Sequence, residues 1–281
     1  MSRAEITWFD GSWSTTKVPL IGATDHAFWM ASTVFDGARS IQGHVPDIAA
    51  HSERLIRSAV ALGMHPKINR EEVESLVCEG LKRLPQGHFD YYIKMLFFCS
   101  DGFLLPDPAS TALALHIFES PLPEDSGFSA TFSQFRRPEP SMAPTDAKAS
   151  CLYPNTQRVL RDATARGFDG AVVLGPDGHV AEFAVANLWI VRDGVAMTPE
   201  LNGAFLNGIT RQRVMALLRE DGIEVREVRL TPTDVLEADE LFSTGNHGKV
   251  LHCDRIEDRS LPHGPVASRA RELYMAYALS C

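Results

Sequence analysis

Residues 144–153 are the most informative stretch of the chain and read Pro144-Thr-Asp-Ala-Lys148-Ala-Ser-Cys-Leu-Tyr153. Small residues flank Lys148, and prolines stiffen the approach to it. A lysine held in a pocket loses its charge more readily because desolvation lowers its pKa, and Schiff-base chemistry requires a neutral amine. Most lysines are solvated surface cations, so the interpretation of Lys148 as a catalytic amine depends on its companions elsewhere in the chain.

Four further segments carry groups suited to an anionic ligand or cofactor. Arg54 is either a solvent-facing helix residue or a fork that binds a phosphate. Gly208-Ile-Thr-Arg211 places amides and a hydroxyl at a predicted helix start, where anions bind, although many ordinary helices begin this way. Residues 243–248 form a polar, glycine-bearing turn that is either a plain loop or a second source of amides. Glu182 adjoins an apolar run, and a carboxylate buried there needs a cationic partner.

The chain has 281 residues, enough for two domains. Residues 120–127 are polar and rich in turn formers, so we expect a linker between an N-terminal α/β domain over 1–119 and a C-terminal α/β domain over 128–281. Both halves mix helices and strands, and no parallel βαβ series is evident, which argues against a Rossmann domain or a TIM barrel. Periodicity predicts helices over 49–62, 70–84, 156–166, 210–221 and 267–279, and strands over 6–9, 91–99, 111–118, 128–135, 170–175, 179–182, 187–191 and 223–230.

Composition and charge exclude several classes of protein. The formal net charge is -9 with no basic face, which excludes a nucleic-acid binder. No apolar run reaches the roughly 18–20 residues of a membrane span, and no targeting segment follows Met1. The 5 cysteines are scattered without a CxxC pair. We therefore expect no metal site, free thiols and a cytoplasmic protein.

Five motifs, in the same order along the chain, resemble those of class IV (fold-type IV) PLP-dependent enzymes, and the chain is most similar to bacterial branched-chain aminotransferase-like proteins. PLP is pyridoxal 5'-phosphate. The motifs are Phe35-Asp-Gly-Ala-Arg39, His51-Ser-Glu-Arg54-Leu55, Ala147-Lys148 with Tyr153, Glu182 with Asn187-Leu-Trp, and Gly208-Ile-Thr-Arg211.

The resemblance implies two mixed α/β domains of the α+β type, with the active site at the domain interface, and a homodimer in which a partner loop, around residues 101–106, completes the site. It implies that Lys148 binds PLP as a Schiff base and shuttles protons, that Glu182 pairs with the pyridine nitrogen and that Tyr153 hydrogen-bonds the phenolate oxygen. The remaining cofactor-binding residues implied, chiefly at the phosphate, are Arg54, Leu206, Gly208, Ile209, Thr210, Gly245 and Asn246.

Substrate specificity is where the chain departs from the branched-chain pattern. Met30 stands where those enzymes usually have tyrosine, and Lys94 where they have arginine. Asn246 replaces a phosphate-binding threonine. The substrate pocket is expected to comprise Met30, Phe35, Arg39, Tyr92, Lys94 and His247.

The expected reaction is a ping-pong transfer from an amine donor, a branched-chain or other amino acid, to a 2-keto acid. Lys94 or the Arg136-Arg137 pair would hold a substrate carboxylate. The alternatives are D-amino-acid or (R)-amine specificity, a lyase resembling aminodeoxychorismate lyase, and a PLP-binding protein without activity.

Overall fold

The computed structural model describes residues 3–87 and 89–281 and divides into two compact units. The first unit comprises Met1–Leu122, Asp146–Cys151 and Ala278–Cys281, and the second comprises Pro123–Thr145 and Leu152–Tyr277. Unlike the predicted domains, neither unit is one continuous stretch. The segment that contains Lys148 belongs to the first unit, although the sequence assigns it to the C-terminal domain. The ranges 1–119 and 128–281 stay a prediction about independently folding domains.

The first unit is a five-stranded antiparallel sheet in the order β2-β1-β5-β4-β3. Asp10 and Gly11 have positive φ at the turn between β1 and β2, as a two-residue hairpin turn with an Asp-Gly sequence requires. Its elements are β1 (Glu5–Phe9), β2 (Ser12–Ser14), α1 (His26–Trp29), β3 (Thr33–Ser40), α2 (Ile48–Ala61), α3 (Arg70–Lys82), β4 (Tyr91–Cys99) and β5 (Thr111–Glu119).

Because side chains alternate along a strand, the two faces of this sheet differ in burial. Ile93, Met95 and Phe97 of β4 are buried, and α2 contacts both β3 and β4. On the other face, Tyr92 is half-buried and Lys94 is exposed. Helix α3 begins at a capping box in which the Asn69 side chain accepts from the amide of Glu72.

The second unit contains a nine-stranded mixed sheet with the path β11-β10-β9-β12-β13-β6-β7-β8, to which β14 adds beside β13. Its elements are β6 (Phe128–Arg136), α4 (Tyr153–Ala165), β7 (Gly170–Leu174), β8 (Val180–Phe183), β9 (Asn187–Arg192), β10 (Val195–Pro199), α5 (Ile209–Glu220), β11 (Val225–Val228), α6 (Pro232–Leu236), β12 (Glu240–Gly245), β13 (Lys249–Ile256), β14 (Arg259–Ser260) and α7 (Pro265–Ala278).

Two single βαβ units occur in this sheet, which the sequence patterns do not predict. Strands β6 and β7 are parallel and joined through α4, and β10 and β11 are parallel and joined through α5. One core cluster of this unit includes Val172, Ile190, Leu241 and Ile256, and a second includes Ala171 and Val173 of β7 with Val159 of α4. No helix within residues 3–87 and 89–281 is long and apolar enough to cross a bilayer.

Candidate active site

Lys148 lies on a short extended segment at the edge of the first unit's sheet. The amide of Phe35 donates to the Lys148 carbonyl at 3.0 Å, and the Lys148 amide donates to Ser58 Oγ at 3.0 Å. Ala147 and Ala149 are fully buried, which explains why small residues flank the lysine. Lys148 Nζ lies 4.9 Å from the centroid of the Phe35 ring. The backbone is therefore fixed on both sides, and the half-buried amine lies over an aromatic ring.

Four of the six predicted pocket residues share the face of the sheet on which the lysine amine lies. Phe35 and Arg39 are four residues apart on β3, so their side chains lie on the same face of the sheet. Arg39 pairs in register with Tyr92 of β4, and Lys94 follows two residues later on the same face. Arg39 is fully buried, lies 5.4 Å from the Tyr92 ring centroid and donates to the Ser120 carbonyl at 2.7 Å. Burial lowers the pKa of Arg39.

Lys94, the fourth residue on the shared face, is exposed, with Nζ 5.8 Å from the Phe118 ring centroid. The other two predicted pocket residues lie on other elements. Met30 follows α1 and is exposed, and His247 is exposed in the β12–β13 loop of the second unit. The structure thus places two cations and two aromatic rings together, and leaves Met30 and His247 outside that group.

Arg54 is anchored from the opposite face of β3. Asp36 accepts from Arg54 Nε at 2.7 Å and Nη2 at 2.9 Å, and its Oδ1 lies 2.7 Å from His51 Nδ1. Burial alone would raise the pKa of the Asp36 carboxyl, but Arg54 and His51 outweigh it and hold that pKa well below its usual range. The arginine expected to bind phosphate is thereby oriented by a bidentate pair.

Glu182 is a buried carboxylate at the centre of the second unit's polar cluster. Arg137 Nη2 forms an ion pair with Glu182 Oε1, and Asn187 Nδ2 donates to Glu182 Oε2 at 3.4 Å. A cationic partner for this carboxylate is therefore present on the chain itself, in addition to the cofactor nitrogen that the resemblance implies. Arg136, the other half of the predicted carboxylate-binding pair, is exposed and donates to the Pro176 carbonyl at 2.8 Å.

Asn187 joins Glu182 to the start of α5. Its Nδ2 also donates to the Leu206 carbonyl at 3.0 Å, and a Cβ added to Gly208 would lie 2.0 Å from its Oδ1. Gly208 is the N-cap of α5, which has no side-chain cap and no acidic residue in its first turn. Ile209 and Thr210 are buried. This helix start therefore suits an anion.

The predicted Gly245-Asn246 turn adjoins the same cluster. Thr244 of β12 pairs in register with Asn187 of β9, and a Cβ on Gly245 would lie 3.3 Å from that of Ala186. Tyr153 is the half-buried first residue of α4, also in the second unit. Glu182, Leu206, Gly208 and Gly245 are thus brought around one buried asparagine.

Four residues of these clusters are absent from the predicted site or have another expected role: Asp36, His51, Arg137 and Asn187. Asp36, His51 and Asn187 belong to the quoted motifs, and membership of these motifs could have identified them as site residues. Arg137 was expected to bind substrate, and the structure pairs it with Glu182 instead.

Residues 33–256 match the family model described as amino-transferase class IV. A crystal structure of an aminotransferase from Brucella abortus bound to the co-factor PLP is 44% identical, with a TM-score of 0.97 over 99% of this chain and 100% of that one. A branched-chain aminotransferase from Thermoproteus uzoniensis, solved with norvaline, is 29% identical, with a TM-score of 0.90 over 98% and 95%. A putative branched-chain-amino-acid aminotransferase from Methanocaldococcus jannaschii is 31% identical over 95% of this chain and 93% of the relative.

Proposed function

The chain belongs to the aminotransferase class IV family and is a PLP-dependent aminotransferase, and from this premise we propose that it transfers the amino group of an amino acid to a 2-keto acid through the residues described above. The observation that carries the proposal is the buried Glu182, held by Arg137 and Asn187 beside the uncapped start of α5.

The groups present fit PLP. Glu182 is an acceptor suited to the protonated nitrogen of the cofactor ring. The amides of Ile209 and Thr210 at the start of α5 are donors suited to its phosphate. Gly208 leaves no room for a Cβ beside Asn187, which keeps the backbone of this turn close to the carboxylate cluster. An apolar or acidic lining would have argued against a phosphorylated ligand.

The proposed roles follow from these chemical types. Bound PLP supplies an electron sink through its protonated ring. Lys148 would hold the cofactor through its Nζ and, as a free amine, would take a proton from the donor's α-carbon. Glu182 would hold the proton on the ring nitrogen, and the Tyr153 hydroxyl would donate to the phenolate oxygen.

We assign several donors to the phosphate. Arg54 offers a guanidinium whose orientation Asp36 fixes. The other donors proposed are the start of α5, the adjoining Leu206-to-Gly208 backbone and the Gly245-Asn246 turn. Each of these assignments rests on the donor chemistry and burial of the residues.

For the donor, we propose an amino acid with an aliphatic side chain, branched-chain amino acids first. The carboxylate is assigned to Lys94 and Arg39, which lie beside Tyr92 on the face where the Lys148 amine lies. Phe35 supplies an apolar wall on that face. The names of the relatives from Thermoproteus uzoniensis and Methanocaldococcus jannaschii support the same substrate class.

A donor panel tests this proposal. The purified protein is mixed with L-Leu, L-Val, D-Ala, D-Glu or either enantiomer of 1-phenylethylamine, and loss of the lysine–cofactor absorbance is followed. L-Leu and L-Val are expected to react fastest. In Lys94→Met, the KM for amino acids should rise about tenfold, the worth of a charge-assisted hydrogen bond, while 1-phenylethylamine, which lacks a carboxylate, is unaffected. Pyruvate release without amine transfer would contradict the proposal.

We further propose a homodimer and a cytoplasmic location. Phe28 and Trp29 of α1 are exposed beside Phe103, Leu104 and Leu105 of the 101–106 loop, and the Trp29 and Phe103 ring centroids lie 5.5 Å apart. This apolar patch of the first unit supports association with a second copy. All five cysteines are free thiols, which supports a reducing compartment.

A further inference from the structure

Lys249, the first residue of β13, combines two features that rarely occur together in a lysine. Its exposed fraction is 1%, and its φ is +62°, in the left-handed region. Glycine adopts that backbone conformation at no steric cost and is the default residue there. Burying a lysine amine is also unfavourable unless it is hydrogen-bonded. Both the backbone conformation and the burial of the amine cost free energy at this position, so the contacts of the Lys249 side chain must offset that cost.

The Lys249 side chain reaches the turn assigned to the cofactor phosphate. Its Nζ donates to Asn246 Oδ1 at 2.8 Å and lies 5.5 Å from the ring centroid of Tyr274, a buried residue of α7. A lysine ammonium has donors and no acceptor, so it contacts the oxygen end of the amide. The amide of Asn246 thereby has one defined orientation, with its NH₂ group at the end away from Lys249.

The backbone around this contact is rigidly held. Gly245 pairs with Lys249 across the β12–β13 hairpin, which closes through residues 246–248. Arg271 of α7 donates to the Gly248 carbonyl at 3.1 Å and to the Val250 carbonyl at 2.6 Å. Arg271 thus anchors the backbone of the hairpin and provides a structural control for the Lys249 side chain.

We propose that Lys249 is a positioning residue that turns the NH₂ group of Asn246 toward the cofactor phosphate, an inference that rests on the proposed function. The resemblance places a threonine at position 246, and a threonine hydroxyl rotates freely to donate to an anion. An asparagine amide has a donor end and an acceptor end, and the acceptor end would repel a phosphate. Lys249 removes that ambiguity by occupying the oxygen.

The test compares PLP with pyridoxal, which lacks the phosphate. The full-length chain, freed of cofactor, is titrated with each compound. The dissociation constant for pyridoxal divided by that for PLP reports the contribution of the phosphate alone. In Lys249→Met this ratio should fall about tenfold, the worth of a hydrogen bond to a charged group, with pyridoxal binding unchanged. Asn246→Ala should have the same effect, and the double variant should show no further loss.

Two further variants address folding. Lys249→Gly suits the left-handed backbone and should lose the phosphate contribution as Lys249→Met does, and adding Asn246→Thr should restore it, because a hydroxyl needs no orienting partner. Arg271→Met loosens the hairpin backbone without removing the Lys249–Asn246 contact, and should leave the ratio near that of the wild type.

The outcomes separate this inference from the proposed function. A wild-type chain that does not bind PLP defeats the proposed function. A wild-type chain that binds PLP, with an unchanged ratio in Lys249→Met, overturns the role of Lys249. An equal loss in Arg271→Met would show general loosening, and an additive loss in the double variant would show that Lys249 acts without Asn246. Either result also overturns the inference.

Discussion

Asp36 and Glu182 are buried carboxylates, and an arginine holds each of them. Asp36 accepts two hydrogen bonds from Arg54, and Glu182 forms an ion pair with Arg137. Removing one partner of a buried pair leaves the other charge without compensation, so such pairs constrain each other strongly. Each pair therefore orients a residue for which we propose a role in cofactor binding.

Replacing Asp36 by asparagine should destabilise the protein in a pH-dependent manner. The pKa of the Asp36 carboxyl is held well below its usual range, so its contribution is fully present above the unfolded pKa of about 4 and is lost as the pH falls through the folded value. At pH 7, Asp36→Asn should lower the free energy of unfolding by about 3–5 kcal/mol, as breaking a buried pair does. Denaturant unfolding between pH 3 and pH 7 measures the difference in free energy of unfolding between the wild type and Asp36→Asn, and this difference should become smaller as the pH falls.

Asp221→Asn is the control for this prediction. Asp221 forms an ion pair with Arg269 at the surface, and exposed pairs contribute little to stability. A difference between Asp36→Asn and the wild type that does not depend on pH would contradict the assignment.

The sequence allows individual site residues to be proposed, but it does not reveal their partners. Arg54 and Glu182 stand in short motifs that identify them. Asp36 also stands in a motif, but its pairing with Arg54 depends on how α2 packs against β3, and spacing along the chain does not encode that packing. The same holds for Arg137, which lies 45 residues from Glu182.

At the scale of elements, strands β4 and β5 were predicted closely because they are apolar and rich in β-branched and aromatic residues. Strands β3 and β13 were missed. Strand β3 contains Asp36 and Arg39, and β13 begins at Lys249 and contains His252, so apolar periodicity does not reveal them. Charged residues are buried in these strands because tertiary partners compensate them, and the partners lie elsewhere in sequence.

The start of α5 offers a test of an element's role. In Gly208→Ala, the added Cβ would lie 2.0 Å from Asn187 Oδ1, and Asn187 is itself held by the Leu206 carbonyl and Glu182. We expect a loss of stability of about 1–3 kcal/mol, the usual cost of overpacking, together with weaker PLP retention. Thermal unfolding and the cofactor content after dialysis measure the two effects.

Gly170→Ala is the matched control within the same unit. A Cβ at Gly170 has its nearest neighbour 4.0 Å away, at Phe128, so this variant should behave like the wild type. If Gly208→Ala retains both stability and PLP, then Asn187 does not link the start of α5 to Glu182.

At the scale of the whole molecule, the chain follows solved aminotransferases closely, with a TM-score of 0.97 to the Brucella abortus structure. The sequence predicted the fold class through its motifs. It did not predict that residues 146–151 join the first unit, because that assignment depends on backbone pairing of Lys148 with Phe35. No local sequence pattern indicates that a short segment of the second half of the chain pairs with the first unit.

The exposed apolar patch on the first unit predicts a dimer. Leu104→Asp together with Leu105→Asp should shift the protein from dimer to monomer in light scattering coupled to size-exclusion chromatography, because two charges would be buried in an apolar interface. Val60→Asp, at an exposed position on α2, is the control and should leave the mass unchanged. A monomeric wild-type protein would refute this prediction.

The assignment of Lys148 is tested by locating the lysine that binds PLP. Borohydride reduction of the purified protein, followed by peptide mass spectrometry, would identify it among Lys17, Lys67, Lys82, Lys94, Lys148 and Lys249. We predict a phosphopyridoxyl group on Lys148 and its absence, together with the visible absorbance, in Lys148→Ala. A label on Lys249 or any other lysine, or an unlabelled protein, would contradict the assignment of Lys148.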